Sequence, residues 1–372
     1  MHQQGALAGI EVAASRTRPN MSKIASALGV SSATVSNALS GKGRVSAELV
    51  EKIRKKADEL GYVPSSAGRA LRTGRSNVLG LVLPDISNPL FPQIAQAMEA
   101  AASNAGYGIL IADSRGDVTT QTQAISRLIE RGVDGLVVIP RRGTRIGDIG
   151  CPVAMVDTPS TPGNTVSADH WEGGAKVARH LVDLGHKNFL LVGYDPASNV
   201  QNDRIGGMKS AFDRGIKYDT IWLETLLRER GEQTSLGLID RVRDGVTAIS
   251  AVSDLHALRV LTELQTAGIK VPQQVSVTGF DDLIFSPVVT PSLTTVHMDM
   301  ARIAELAIAA LVREIEHSKS EPNANTSQKQ NGKAAKQTVT AEPSKVSMEL
   351  MVRASSGPII LPDTPILNGK TL

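Results

Sequence analysis

The chain has 372 residues, of which 41% are hydrophobic, 21% charged and only 3% aromatic, with a formal net charge of +3. That length suits two or three domains with aliphatic cores, and the composition excludes general disorder. A single cysteine, Cys151, excludes an intramolecular disulfide and any multi-cysteine metal site, and points to a reducing, cytoplasmic compartment.

Residues 1–19 read as a flexible extension to which no function is given, with Met21 as a second candidate start. Glu11 interrupts the apolar run there, and no stretch reaches the roughly 18 apolar residues that span a bilayer, so neither an export signal nor a membrane partner is expected. Between residues 20 and 76 lie ten basic side chains (Lys23, Lys42, Arg44, Lys52, Arg54, Lys55, Lys56, Arg69, Arg72, Arg75) and four acids (Glu48, Glu51, Asp58, Glu59), a balance of +6 against −3 for the remainder. Such concentration in a small segment implies a polyanion partner for that segment alone.

Three short helical patterns fill residues 20–63: "SKIASAL" with Ser22 as N-cap and Gly29 as stop, "SSATVSNAL" opened by Ser31, and "SAELVEKIRKKADEL" opened by Ser46 and closed by Gly61. Ile24, Ala25, Leu28, Val30, Val35, Leu39, Val45, Val50, Ile53, Ala57 and Leu60 are the expected core. A helix, a tight turn and a second helix at this spacing form a helix-turn-helix, whose second helix can enter a DNA major groove. Small hydroxyl residues suit that place: Ser31, Ser32, Thr34, Ser36 and Asn37 reach phosphates or base edges without bulk. The plainer reading is a solvated capping region of an ordinary bundle. "YVPSSAGRALRTGRS" follows, and from Pro64 it predicts a hinge helix of barely two turns within the linker 64–76, with Gly68 inside it, marginal alone.

From residue 77 the pattern changes to buried strands alternating with amphipathic helices: "VLGLVLPDI", "PQIAQAMEAAASNAG", "YGILIAD", "QTQAISRLIERG", "VDGLVVIP", "PVAMVD", then "GAKVARHLVDLG", "NFLLVGYD", "IGGMKSAFDRG", "SLGLIDRVRDG", "AISAVSD", "HALRVLTELQTAG" and "VSVTGFDD". The expected fold is therefore a small all-α helix-turn-helix domain followed by an α/β core (77–317) of two doubly wound parallel-sheet subdomains, with a ligand cleft at the carboxyl ends of the strands. "MARIAELAIAALVREIE" and "VSMELMVRA" are expected to complete the first subdomain. Between them, 318–345 is rich in Lys, Ser and Asn and reads as a disordered loop, and 346–372 as a final core strand and tail.

The stretch from "SKIASALGVSSATVSNALSGKGRVSAELVEKIRKKADELGYVPSSAGRALRTGRSNVLGLVLPDISNP" through "LIERGVDGLVV", "EGGAKVARHLVDLGH", "DRIGGMKSAF", "AGIKVPQQVSVTGFDD", "PSLTTV" and "ELMVRASSG" resembles the lactose-repressor (LacI/GalR) family of bacterial transcription regulators over about residues 20–357. The resemblance implies base reading by Ser32, Ala33 and Asn37, with Ser31, Thr34 and Ser36 as phosphate or supporting contacts and Arg44 and Arg69 also on the DNA. Asn37 stands where many relatives carry Arg, which favours an adenine contact over guanine. Residues 65–71 match the hinge helix of the family, with Leu71 as the wedge that kinks DNA. The core then resembles a periplasmic-binding-protein-like sugar fold, with Arg204 and Asp281 at the principal effector positions and Asn88, Phe91, Asp113, Glu172, Ser253 and Asp254 as further contacts. The expected partners are double-stranded operator DNA, a small-molecule effector of carbohydrate type and a second copy of the chain, since a symmetric site needs a homodimer.

No enzyme and no cofactor are expected: there is no HExxH or GxSxG, and the seven histidines lack metal-ligand spacing. "GRALRTGRS" is not a phosphate loop, having five residues between its glycines and Arg75 in place of Lys. The alternatives are a solute-binding or sensor protein using only the sugar-binding fold, and an effector-independent activator of the same family.

Overall fold

The computed structural model describes residues 20–41, 43–62, 74–144, 146, 149–231, 234–320 and 344–359. The chain divides between Ser76 and Asn77 into two units.

The first unit contains α1 (Met21–Leu28), α2 (Ser32–Ser40) and α3 (Ala47–Glu59). Asn20, rather than the expected Ser22, caps α1: its side-chain oxygen accepts from the Lys23 amide at 3.1 Å, three residues on, so the helix begins a residue before that serine. Ser31 and Ser46 cap the next two helices by accepting from the Thr34 and Leu49 amides at 3.1 and 3.4 Å. Gly29 and Gly41, at φ +65° and +67°, end α1 and α2 in the left-handed conformation that a side chain would oppose. Ile24, Val35 and Ile53 meet fully buried, with Ala25, Ala38 and Ala57 between them. Ala38 joins this core although its position in the sequence did not single it out. Leu28, Val30, Leu39, Val45, Val50 and Leu60 are only partly buried, because three short helices provide no outer layer to cover them.

The second unit begins with β1 (Val78–Leu83), α4 (Leu90–Asn104), β2 (Gly108–Asp113), α5 (Val118–Glu130), β3 (Gly135–Val138), β4 (Val153–Val156) and β5 (Asn164–Ala168). There follow α6 (His170–Asp183), β6 (Asn188–Gly193), α7 (Asn199–Ser210), β7 (Lys217–Trp222), α8 (Leu223–Arg230), α9 (Leu238–Arg243), β8 (Ala248–Ala251), α10 (Asp254–Thr266) and β9 (Ser276–Thr278). The last elements are β10 (Thr295–Met298), α11 (Met300–Ser320), β11 (Ser344–Val346) and β12 (Met348–Met351). One sheet has the order β11-β5-β4-β3-β1-β2 and the other β7-β6-β8-β9, every pairing parallel. Each sheet with its helices is a lobe.

The chain passes between the lobes three times: from β5 into α6, through β10 into α11, and from β11 to β12. Helix α11 returns to pack on β3, β4, β5 and α4 of the first lobe. The expectation that "VSMELMVRA" completes that lobe is corrected. Only Ser344–Val346 joins its edge, while Met348–Met351 pairs antiparallel with β10. The chain must leave there because Ser355 and Gly357 are bonded into the second lobe, through Thr294, Val277 and Ser276. Of the expected loop 318–345, residues 318–320 instead continue α11 and 344–345 lie in β11, with Lys345 paired to Asp169 at 2.7 Å, while 321–343 lie outside the described residues.

Truncating Ile53 to Ala should cost about 2–5 kcal/mol, a large share of what so small a unit possesses. A thermal melt of the full chain should then show early loss of the helical unit with the α/β transition unmoved; a single unshifted transition would contradict this core assignment.

Candidate nucleic-acid interface and ligand cleft

Helix α2 buries Val35 and Ala38 and turns Ser32, Ala33 and Asn37 outward, with Thr34 and Ser36 beside them. Ser31 is exposed at the helix start, where its hydroxyl lies 2.9 Å from that of Thr34 as well as capping the Thr34 amide. The first turn carries no acid, so its free amides face solvent with their positive end unopposed. Asn37 rests against Gly43, where a Cβ would come within 3.1 Å of its side-chain nitrogen, and Arg44 is exposed just beyond. On α3, Glu48 and Glu59 pair with Lys52 and Lys56 at 2.7 and 3.0 Å. Lys23, Arg44, Arg54 and Lys55 supply further positive charge. Arg69 and Leu71 lie outside the described residues.

In the second unit a cavity of about 800 Å³ opens between the lobes at the carboxyl ends of the strands. One wall is apolar, from Phe91, Ile94 and Met98 on α4 with Met300 and Ile303 on α11. The opposite side carries Arg204, Asp281, His170, Ser253 and His256.

Arg204 is 3% exposed, and each of its three guanidinium nitrogens lies against a protein partner. Nη1 donates to the Val252 carbonyl at 2.6 Å, Nε to His170 Nδ1 at 3.3 Å, Nη2 lies 2.7 Å from Asp281 Oδ1, and the guanidinium sits 4.0 Å from the Phe280 ring centroid. The glycine pairs of "EGGAK" and "RIGGMK" make this possible. A Cβ on Gly174 would run into the Arg204 carbonyl and one on Gly207 into that of Trp171, so α6 and α7 cross with their backbones touching. Asp281 sits at φ +103° and is 2% exposed. Its Oδ1 is close to Arg204 in charge contact but receives no well-directed hydrogen bond, which leaves it able to accept one from a ligand hydroxyl.

Burial dominates the protonation of this floor. It pushes Asp281 up to about 7, against the opposing pull of Arg204 and with some help from Asp254. Burial, aided by Arg259 and Arg204, holds His256 down to about 4, and burial with the Arg204 charge holds His170 well below its usual value. Both imidazoles are therefore neutral at pH 7. Nδ1 of His170 accepts from Arg204, and His256 Nδ1 lies 2.6 Å from the Ser253 hydroxyl with its ring stacked on Tyr194 at 5.2 Å.

Of the residues expected at the effector site, Arg204, Asp281, Asn88, Phe91 and Ser253 converge on the cavity. Asp113, Glu172 and Asp254 are not among its lining, and each has another occupation. Asp113 accepts from the Ile86 and Arg115 amides, both at 3.1 Å, and shapes its loop. Glu172 is held in an ion pair with Arg179 at 3.2 Å. Asp254 is fully buried and receives Leu283 N at 2.7 Å, Ser286 Oγ at 2.6 Å and the Thr295 hydroxyl. Sequence reasoning missed His170, Tyr194, His256, Arg141 and Asp157, all on the cavity. The available signal was position: Tyr194, Arg141 and Asp157 follow the ends of β6, β3 and β4 within one to three residues, where parallel strands present side chains to the cleft.

The opposed shifts of Asp281 and His256 predict how acid acts on the core. Asp281 binds a proton near pH 7 when folded and only near 3.8 when unfolded, so its contribution grows as pH falls from 7 toward 4. His256 does the reverse, protonating near 6.5 unfolded and about 4 folded, so its contribution is lost over the same window. Asp281→Asn removes the first of these alone. The unfolding midpoint of the wild type should therefore gain on that of the variant between pH 7 and 5; a constant difference would refute a raised carboxyl at this position.

Comparison with known proteins agrees with both halves of this description. Residues 20–65 match the bacterial regulatory proteins of the lacI family, and 178–331 match a periplasmic binding protein-like domain. The HTH-type transcriptional regulator DegA of Bacillus subtilis is 32% identical over 286 residues, 73% of this chain and 84% of DegA. The HTH-type transcriptional repressor PurR of Photobacterium profundum is 26% identical, over 78% of this chain and 90% of PurR. Among solved structures, the lac repressor dimer bound to operator and the anti-inducer ONPF superposes with a TM-score of 0.74 at 20% identity, covering 92% of this chain and all of that one. The transcriptional regulator CelR in complex with cellobiose gives 0.58 at 23% identity, over 91% of this chain and all of CelR. With a relative of DegA's identity matched across most of both lengths, and a helix-turn-helix unit preceding a two-lobed α/β core, the chain belongs to the lacI family of bacterial regulatory proteins, DNA-binding regulators of transcription.

Proposed function

We propose that the protein is a transcriptional repressor that binds a pseudo-palindromic operator as a homodimer and changes its operator affinity when a small polyhydroxylated effector, a sugar or close relative, enters the cleft. The observation that carries the reading is the outer face of α2, where Ser32, Ala33 and Asn37 stand outward beside a hydroxyl-capped, acid-free helix start. Side chains this small let the helix enter a major groove closely. Asn37 then offers the paired donor and acceptor that match adenine, and Ala33 a methyl contact to thymine. Ser31, Thr34, Ser36 and Arg44 serve phosphates and positioning. Arg69 and Leu71, outside the described residues, keep the minor-groove roles that the family resemblance implies.

Support for the effector comes from the cleft floor. Each nitrogen of the Arg204 fork already lies against a protein partner, which makes it a poor principal clamp for a carboxylate or phosphate. What the floor offers is an unsatisfied buried acceptor on Asp281, the Ser253 hydroxyl and neutral imidazoles, beside an apolar wall. That combination suits a ring with hydroxyls on its edge and C–H bonds on its face. Support for the homodimer comes from Ile284 and Val288, 82% and 75% exposed on one loop, and from Leu110 and Ile111 exposed on the edge strand β2, apolar surface that a second copy would cover.

Two outcomes test the reading. Asn37→Ala should weaken binding of the selected operator by about 1–3 kcal/mol while leaving non-specific duplex binding unchanged, measured by titration at fixed salt. Equal losses on every duplex would remove Asn37 from base reading. Arg204→Ala should retain operator binding and lose the response to sugars, and a normal response would exclude the cleft floor as the effector site.

A further inference from the structure

Two loops face each other across the mouth of the cleft, and each is pinned by a glutamine on a helix of its own lobe. In the first lobe, buried Gln121 of α5 accepts from the Arg141 amide at 2.9 Å and from the Thr144 hydroxyl, and donates to the Ile139 carbonyl at 3.1 Å. In the second, Gln201 of α7 accepts from the Tyr194 and Asp195 amides at 2.8 and 3.2 Å. Asp195 uses Oδ1 to accept from the Ala197 amide at 2.7 Å, which holds its own turn, and presents Oδ2 to Arg141 at 3.5 Å across the cleft. A second bridge runs beside it, from Asn199 of the second lobe to the Thr161 hydroxyl of the first at 3.2 Å.

We propose that the Arg141–Asp195 ion pair is a latch between the lobes, placed over the mouth of the cleft, that biases the core toward its lobes-together state independently of any effector. A flexible surface ion pair gains little, because ordering two side chains offsets the attraction. Here both backbones are fixed beforehand by Gln121 and Gln201, and the two side chains are only 33% and 19% exposed. When the lobes part, Arg141 does not lose all company, since it also interacts with Asp117 on its own lobe. The latch is therefore easily released, and it tunes a balance between two states without locking one. If the cleft is the effector site, as proposed above, the pair lines that site and sets part of the equilibrium that the effector shifts.

The test reads the distance between lobes in the full-length protein, without DNA or added ligand, so that failure of the operator or effector reading would not affect it. Spin labels at Thr119→Cys and Glu229→Cys, both on the surface, would be placed in a Cys151→Ser background and read by pulsed electron paramagnetic resonance. Asp195→Asn keeps the turn but removes the charge, and Arg141→Gln removes its partner. Each should raise the ratio of long to short distances by about two- to fivefold, and high salt should do the same in the parent but not in the variants. Unchanged distributions in both single variants would overturn the latch, as would an equal shift from the neighbouring control Arg142→Gln.

Discussion

A guanidinium removed from water must have its donors engaged by protein, or the fold pays for it. Arg204 meets that condition at the centre of the second unit, and much of the surrounding architecture follows. Beside Arg204, α6 and α7 touch backbone to backbone at Gly174 and Gly207, while Gly173 and Gly206 leave room for the Phe280 and Trp171 rings. Its donors draw together the carbonyl of Val252 just after β8, the imidazole at the start of α6 and the carboxyl that follows Phe280. Removing Asp281 would leave a buried cation without its counter-charge, so the two residues hold their places jointly, even though burial works to keep the Asp281 carboxyl protonated.

The carboxyl of Asp254 carries this organisation outward. It ties the start of α10 to the loop at 283–286 and to Thr295 of β10, the strand that leads into α11 and so into the first lobe. Asp281 is itself bridged to β10 opposite His297. The cleft floor is thus bonded directly to one of the three segments that cross between the lobes. A ligand that altered the position of Asp281 would act on that crossing without any long relay.

The sequence is most legible where periodicity and turn chemistry coincide. Ser31, Ser46, Gly29 and the runs "VLGLVL" and "NFLLVG" each announce their element, because a hydroxyl cap, a left-handed glycine or an unbroken apolar strand is compatible with few other local structures. Strands "NTVSA" and "KYDTIW" and helix "LETLLRER" do not announce themselves, nor does β10, since short half-polar segments acquire their form from neighbours. Without β5, His170 has no strand end to mark it. Arg204 and Asp281 stand out through the company of their motifs, whereas Asp254, in an equally suggestive "SD", is directed away from the cleft by Leu283, Ser286 and Thr295. No linear pattern encodes that choice, because all three partners lie more than 25 residues away.

The distribution of charge gives the two units different electrostatic parts. Residues 20–76 carry +6 and all other residues together −3, so a duplex attracts the first segment and is weakly repelled by the rest. Attraction to phosphate is thereby concentrated in the helix-turn-helix segment, and the remainder of the chain adds no net positive charge to compete for the backbone. Among its described residues the small unit is held by six buried hydrophobic side chains, too few for much internal strain. Regulation by distorting its fold would cost most of its stability. If the cleft takes an effector as proposed, the larger core, with lobes joined by three crossings and a weak interlobe ion pair, is where a ligand of modest affinity would shift an equilibrium.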